Sequence, residues 1–236
     1  MHELIVITLL AGLAIPVGGT LAMVERVRSQ WLEQELRHSV IAFGGGVLLS
    51  AVALVLVPDG SASLPWWLAV GMFVLGGVAF LGIDAVVKRF RGSAAQVIAM
   101  LTDFVPEAIA LGAVLAVDRQ RALLLALLIG LQNLPEGFNA FRELRATKQH
   151  RRRTVFAWML AMSLLGPASG LAGYWFLSDD DAVVGAIMLA AAGGILFLTF
   201  QDIAPQAELE NKQGPALGAV LGFATGLAGH LLVVGT

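Results

Sequence analysis

Eight long apolar runs, at residues 4–24, 39–57, 65–87, 94–117, 122–141, 154–177, 182–203 and 214–236, leave only short connections between them. Each is close to the roughly 20 residues that carry a helix across the hydrocarbon layer. Inside lipid the backbone must satisfy its own N–H and C=O groups, which helices and closed barrels achieve; a barrel strand would show about ten alternating residues instead. The expected fold is therefore all-α: a polytopic membrane protein with eight transmembrane helices in a single domain over residues 1–236. A soluble domain is excluded by a composition that is 58% hydrophobic and 14% charged, against about 45–50% and 25% in soluble proteins. The formal net charge of -2 suits no nucleic-acid partner, and the lack of cysteine removes disulfides, thiolate metal sites and cysteine nucleophiles. The first run has no basic leader and exceeds a signal-peptide core, so it is read as a retained helix.

Basic residues orient the bundle. One set of alternate connections holds Arg26, Arg28, Arg37, Lys88, Arg89, Arg91, Arg142, Arg145, Lys148, Arg151, Arg152, Arg153 and Lys212, which is 13 of the 15 Lys and Arg; the other holds Arg119 and Arg121. The positive-inside rule then places both termini outside. Run two, with Gly44-Gly45-Gly46 before Pro58-Asp59, resembles run seven, with Gly193-Gly194 before Asp202 and Pro205, although the two run in opposite directions. That pattern predicts an inverted repeat, helices 1–3 and 6–8 around the 4–5 hairpin, a common plan of secondary transporters. Gly214, Gly218, Gly222 and Gly226 form a small-residue face on run eight, read first as packing within the bundle, with a homodimer contact as its other use.

Charges at a helix centre cost about 2.5–3.5 kcal/mol each on insertion scales, so those that persist have a partner or a task. Run four contains Asp103-Phe104-Val105-Pro106-Glu107, and run five contains Gln132-Asn133-Leu134-Pro135-Glu136-Gly137. Asp103 and Glu107, like Gln132 and Glu136, are four residues apart and share a helix face, with Asn133 beside Glu136 at a spacing of three. Pro106 and Pro135 lack an N–H and free the carbonyls of Thr102 and Leu131, adding oxygen donors. The two runs are joined only by residues 118–121, so they form a hairpin whose carboxylates and amides converge. With no Lys or Arg inside any run, a cation or protons must balance Glu107 and Glu136.

At these residues the chain resembles the ZIP family, the zinc- and iron-regulated-transporter-like proteins. The family pattern is His-Asn-x-Pro-Glu-Gly in helix four, with a related Pro-Glu-Gly motif in helix five. Residues 10–19 of run one and Ala42-Phe43-Gly44-Gly45-Gly46 of run two share the likeness, which spans the chain. The resemblance implies eight helices, both termini outside, a metal site between helices four and five, and alternating access by an elevator-like movement. Carried over residue by residue, it implies metal ligation by Asp103, Glu107, Gln132, Asn133 and Glu136. Asp103 stands where the family has histidine and Phe104 where it has an asparagine ligand, and run six lacks the carboxylate that some relatives contribute, so one metal position is expected. The divalent cation is the transported substrate, with no organic cofactor and no catalytic residues, in a multi-pass protein of the cell (plasma or inner) membrane. Zn, Fe, Mn or Cd are all compatible with oxygen ligands.

Two other classes compete. A proton- or organic-cation-coupled transporter would use Glu107 and Glu136 without metal. An intramembrane enzyme acting on phosphate would bring Arg or Lys to its site, and the runs hold none. Asp84 is expected to pair with Lys88, while Asp59 and Asp202 are candidates for the two ends of a pathway or for plain helix-end charges. Asp179-Asp180-Asp181 is read as a solvated turn capping the next helix. His2, His38, His150 and His230 lie near segment ends or in connections and are read as having no metal-ligand partner at a spacing of four.

Overall fold

The computed structural model describes residues 1–24, 30–87, 89, 93–146, 151–176, 180–208 and 213–234. Arg26, Arg28, Lys88, Arg91, Lys148, His150, Asp179 and Lys212 lie outside the described residues, as does the side chain of Asp103. The described residues fold into helices α1 (His2–Val24), α2 (Gln30–Ala51), α3 (Val57–Ala62), α4 (Trp66–Val87), α5 (Ser93–Val117), α6 (Arg119–Ala146), α7 (Arg152–Ser163), α8 (Leu165–Phe176), α9 (Asp181–Leu198), α10 (Ala204–Ala207) and α11 (Gly214–Val234). A π-helical stretch, Val52–Leu56, makes α2 and α3 continuous, and another, Thr199–Ile203, joins α9 to α10. Each lies just before a proline, Pro58 or Pro205, that cannot donate to the carbonyl four residues back, so the helix widens there.

Seven of the described helical segments are long and apolar enough to cross a membrane. Run five, now α6, is not among them despite its 28 residues, because Gln132, Asn133, Glu136 and Asn139 lower its hydropathy. The chain is a multi-pass membrane protein, and its surface agrees. Val70, Val74, Leu75 and Val78 of α4 and Leu217, Val220 and Leu221 of α11 are exposed, as a lipid-facing surface requires. Trp66, Trp67, Trp175 and Phe176 are exposed at one end of the bundle, where aromatic side chains suit the interface. At that end Asp180 caps α9, its Oδ1 accepting from the Ala182 N–H at 2.8 Å.

Glycine sets the helix pairing. A Cβ on Gly18 would strike the carbonyl of Leu134, and one on Gly137 the carbonyl of Ile15, so α1 and α6 approach backbone to backbone. The same exchange joins Gly46 and Gly222 between α2 and α11, Gly76 and Gly193 between α4 and α9, and Gly112 and Gly173 between α5 and α8. Successive contacts advance in the same direction along α2 and α11, as they do along α1 and α6, where Gly130 meets Ala11 and Gly137 meets Ile15, which marks these pairs as parallel. Lipid supplies no hydrophobic drive between helices, and close backbone packing replaces it. The glycine face of α11 is spent here: Gly214, Gly218, Gly222 and Gly226 meet Glu35, Ser39, Phe43 and Ser50 of α2. A homodimer would need another surface.

These pairs assemble into two groups. One gathers α1, α5, α6, α7 and α8; the other gathers α2, α3, α4, α9, α10 and α11, with Gly60 of α3 against Gly185 of α9. The groups meet along α2 against α6 and α5 against α9. All four reciprocal glycine pairs are internal to a group. Where the groups meet, side chains intervene: Pro135 rests on Gly44 at 3.0 Å from a built Cβ, and Leu124 on Gly229 at 3.2 Å.

Candidate metal site

The α5–α6 hairpin turns at Asp118, whose Oδ1 accepts from the N–H groups of Gln120 and Arg121 at 2.9 and 3.1 Å and so caps α6. Pro106 and Pro135 both sit inside these helices rather than ending them. Immediately after Pro106, Glu107 is 5% exposed, and across the hairpin Gln132 is 4% exposed. The Gln132 Nε2 donates to both carboxylate oxygens of Glu107 at 2.6 Å each. A buried carboxylate is thus held by a neutral amide.

Glu107, Gln132 and Glu136 line one cavity of about 320 Å³ together with both prolines. From them it extends past Asn139, Asp202 and Gln206 toward Asp84 and Val87, at the end of the bundle that carries Arg37, Arg142 and Arg145. Body and wall differ: Glu107, Gln132, Glu136 and Asn139 belong to the first helix group, while Asp84, Asp202 and Gln206 belong to the second. Among the described residues the lining contains four carboxylates and no Lys or Arg. In the opposite direction Leu56, Leu125, Ile129, Ala191 and Ile195 close over Glu107 and Gln132, leaving a gap of about 10 Å³. That is about the room a single water molecule needs.

Asn133 and Phe104 go elsewhere. Fully buried, Asn133 turns toward α1, where its Nδ2 donates to the Ala11 carbonyl at 3.0 Å and its Oδ1 has no partner. Consecutive helix positions diverge by about 100°, so Gln132 and Asn133 cannot both face the cavity directly. Phe104, 2% exposed, drives its ring between α1 and the α7–α8 junction, with Cζ 2.9 and 2.8 Å from Cβ positions built on Gly12 and Gly166. Beside it, Ser163 Oγ donates to the Gly12 carbonyl at 2.9 Å.

The other acidic candidates separate. Asp202 and Asp84 line the cavity, and the pairing expected with Lys88 falls on an undescribed residue. Asp59 lies at the far end, 3.1 Å from Arg121. Asn139 was not singled out from the sequence, yet it lies three residues beyond Glu136 and its helical spacing marked it for the same face.

Residues 92–234 match the family described as ZIP zinc transporter. Two zinc transporters named ZupT, from Shigella dysenteriae serotype 1 (strain Sd197) and Shigella flexneri serotype 5b (strain 8401), are each 24% identical over 93% of this chain and 92% of their own length. A ZupT zinc transporter of Escherichia fergusonii shows the same identity and coverage.

Proposed function

Since this chain belongs to the ZIP zinc transporter family, we propose that it carries a divalent metal cation, zinc among the candidates, across the cell membrane through Glu107, Gln132 and Glu136. The observation that carries this reading is the cavity between the two helix groups, lined by carboxylates and by no basic side chain among the described residues. A cation is the cargo such a lining attracts, whereas a phosphate-directed enzyme would need the reverse charge. Asp103, one turn before Glu107, completes the proposed set by sequence. On metal binding the Gln132 amide turns its Oε1 toward the ion in place of the Nε2 that now holds Glu107.

One ion fits this arrangement. The Phe104 ring occupies the space where the family pattern would bring an asparagine, and Asn133 is engaged with α1. The direction of opening supports an alternating-access cycle. Read with both termini outside and the Arg-rich end cytoplasmic, the cavity's extension toward Asp84 and Val87 and the packing of Leu56, Leu125, Ile129, Ala191 and Ile195 on its other side support an inward-open state. We take α6 as the eighth crossing, and the two π-helical stretches before Pro58 and Pro205 support an inverted repeat.

Uptake into vesicles under defined gradients of Zn²⁺, Mn²⁺, Fe²⁺ and Cd²⁺ tests the proposal. Glu107→Ala or Glu136→Ala abolishes uptake while the protein still folds, because removing a buried anion also removes its desolvation cost. Full uptake with both glutamates replaced, or proton or organic-cation flux without any metal flux, rejects the metal reading.

A further inference from the structure

α6 is fastened to the second helix group at both of its ends. Near the outer end Arg121 Nη1 lies 3.1 Å from Asp59 Oδ1 of α3, and Arg121 Nε lies 3.1 Å from Asp118 of its own hairpin. Near the inner end Arg37 of α2 donates from Nε to Asn139 Oδ1 at 3.1 Å and lies 3.4 Å from Glu143. Asn139 Nδ2 donates to Glu143 Oε1 at 2.9 Å and to Gln206 Oε1 of α10 at 3.1 Å. Arg121 and Glu143 are about 33 Å apart along the helix at 1.5 Å per residue, with Gln132 and Glu136 between them.

The glycine contacts across this boundary are of a different kind. Pro135 meets Gly44 and Leu124 meets Gly229 through side chains, and Leu124 and Leu128 pack among Val47, Ala51 and Val55, without the reciprocal backbone contacts that lock each group internally. Displacement of the first group by a single helical turn, about 5.4 Å, would separate Arg121 from Asp59, Arg37 from Asn139 and Glu143, and Asn139 from Gln206, while the Asn139–Glu143 and Arg121–Asp118 contacts travel with the first group. We propose that Asp59–Arg121 and the Arg37–Asn139–Glu143–Gln206 cluster are paired latches that hold the inward-open conformation and open together when the metal site turns outward. Arg121 and Arg37 are positioning residues: they act on the site through α6 and touch no metal. The inference rests on the alternating-access reading above.

Partly exposed ion pairs are weak, about 0.2–1 kcal/mol each. That suits a latch opened in every cycle. Because the chain contains no cysteine, Ala51→Cys at the narrow gap above Glu107 gives a single reporter of outward opening. Its labelling by an impermeant thiol reagent from outside is measured in full-length protein in vesicles, with Zn²⁺ or Mn²⁺ inside or outside. Arg121→Gln and Arg37→Gln each raise the labelling rate by roughly two- to fivefold, and the exchange Asp59→Arg with Arg121→Asp returns it toward the parent value. Uptake in the Arg variants, normalised to the amount of folded protein, shows an altered maximal rate, whereas a general loss of folding leaves the rate per folded molecule unchanged. Unchanged labelling in both Arg variants, or an exchange variant no closer to the parent than Arg121→Gln, overturns the latch. Labelling of the parent reporter that ignores which side holds metal overturns alternating access itself, a distinct failure.

Discussion

Glu107 shows how much one residue can reveal. A carboxylate directly after proline in an apolar run is conspicuous, and the same signal in the next run points to a convergent pair. The structure puts Glu107, Gln132 and Glu136 on one cavity. Asn133 and Phe104 were less legible, because spacing fixes a residue's angle on its own helix but not which neighbour fills that angle. Asn133 meets α1 and Phe104 fills a notch opened by Gly12 and Gly166; neither partner is local in sequence. The amide of Gln132 carries a consequence of its own. Without metal it supplies hydrogen bonds to both oxygens of a buried carboxylate, and deleting one partner of a buried bond costs about 1–3 kcal/mol. Gln132→Ala should lower the metal-free melting temperature by several degrees and weaken stabilisation by added Zn²⁺ or Mn²⁺, both read in a thermal melt of purified protein.

At the scale of elements, the described parts of all eight runs are largely helical, and seven of the helical segments are long and apolar enough to cross a membrane, since hydrophobic length is the property lipid selects. Their ends were less legible. Run two, 39–57, is the apolar middle of a helix reaching from Gln30 to Ala62, because polar residues outside the hydrocarbon continue a helix without any hydropathy signal. The helix partners were hidden too: the glycine pairs join residues more than 60 positions apart, and a glycine's role depends on what stands opposite. That distinction is measurable. Gly193→Val should strongly destabilise the fold, because a Cβ there meets the Phe73 carbonyl, whereas Gly82 has nothing within 4 Å. Gly82→Ala should be neutral or stabilising by about 0.5–1 kcal/mol, the usual helix advantage of alanine over glycine. Comparable thermal losses in both variants would show that the backbone contacts do not lock the helices.

For the whole molecule, the division into two helix groups is the property least available from sequence. Hydropathy gives crossings and charge gives sides, but which helices travel together is decided by packing. The membrane orientation remains directly testable. Single-cysteine variants at Asp180 and Arg152, both exposed on described helix ends, should label with an impermeant reagent in intact cells at 180 and not at 152; labelling at 152 alone would invert the bundle. The proposed metal site holds one divalent ion between α5 and α6, and anomalous diffraction from crystals soaked in Zn²⁺, Mn²⁺ or Cd²⁺ counts the ions there. The predicted result is one strong anomalous peak within ligand distance of Glu107, Gln132 and Glu136, lost in Glu107→Ala. Two equally occupied ions bridged by Glu107 and Glu136 beside a displaced Phe104 ring, or no ion at these residues under saturating metal, would contradict it.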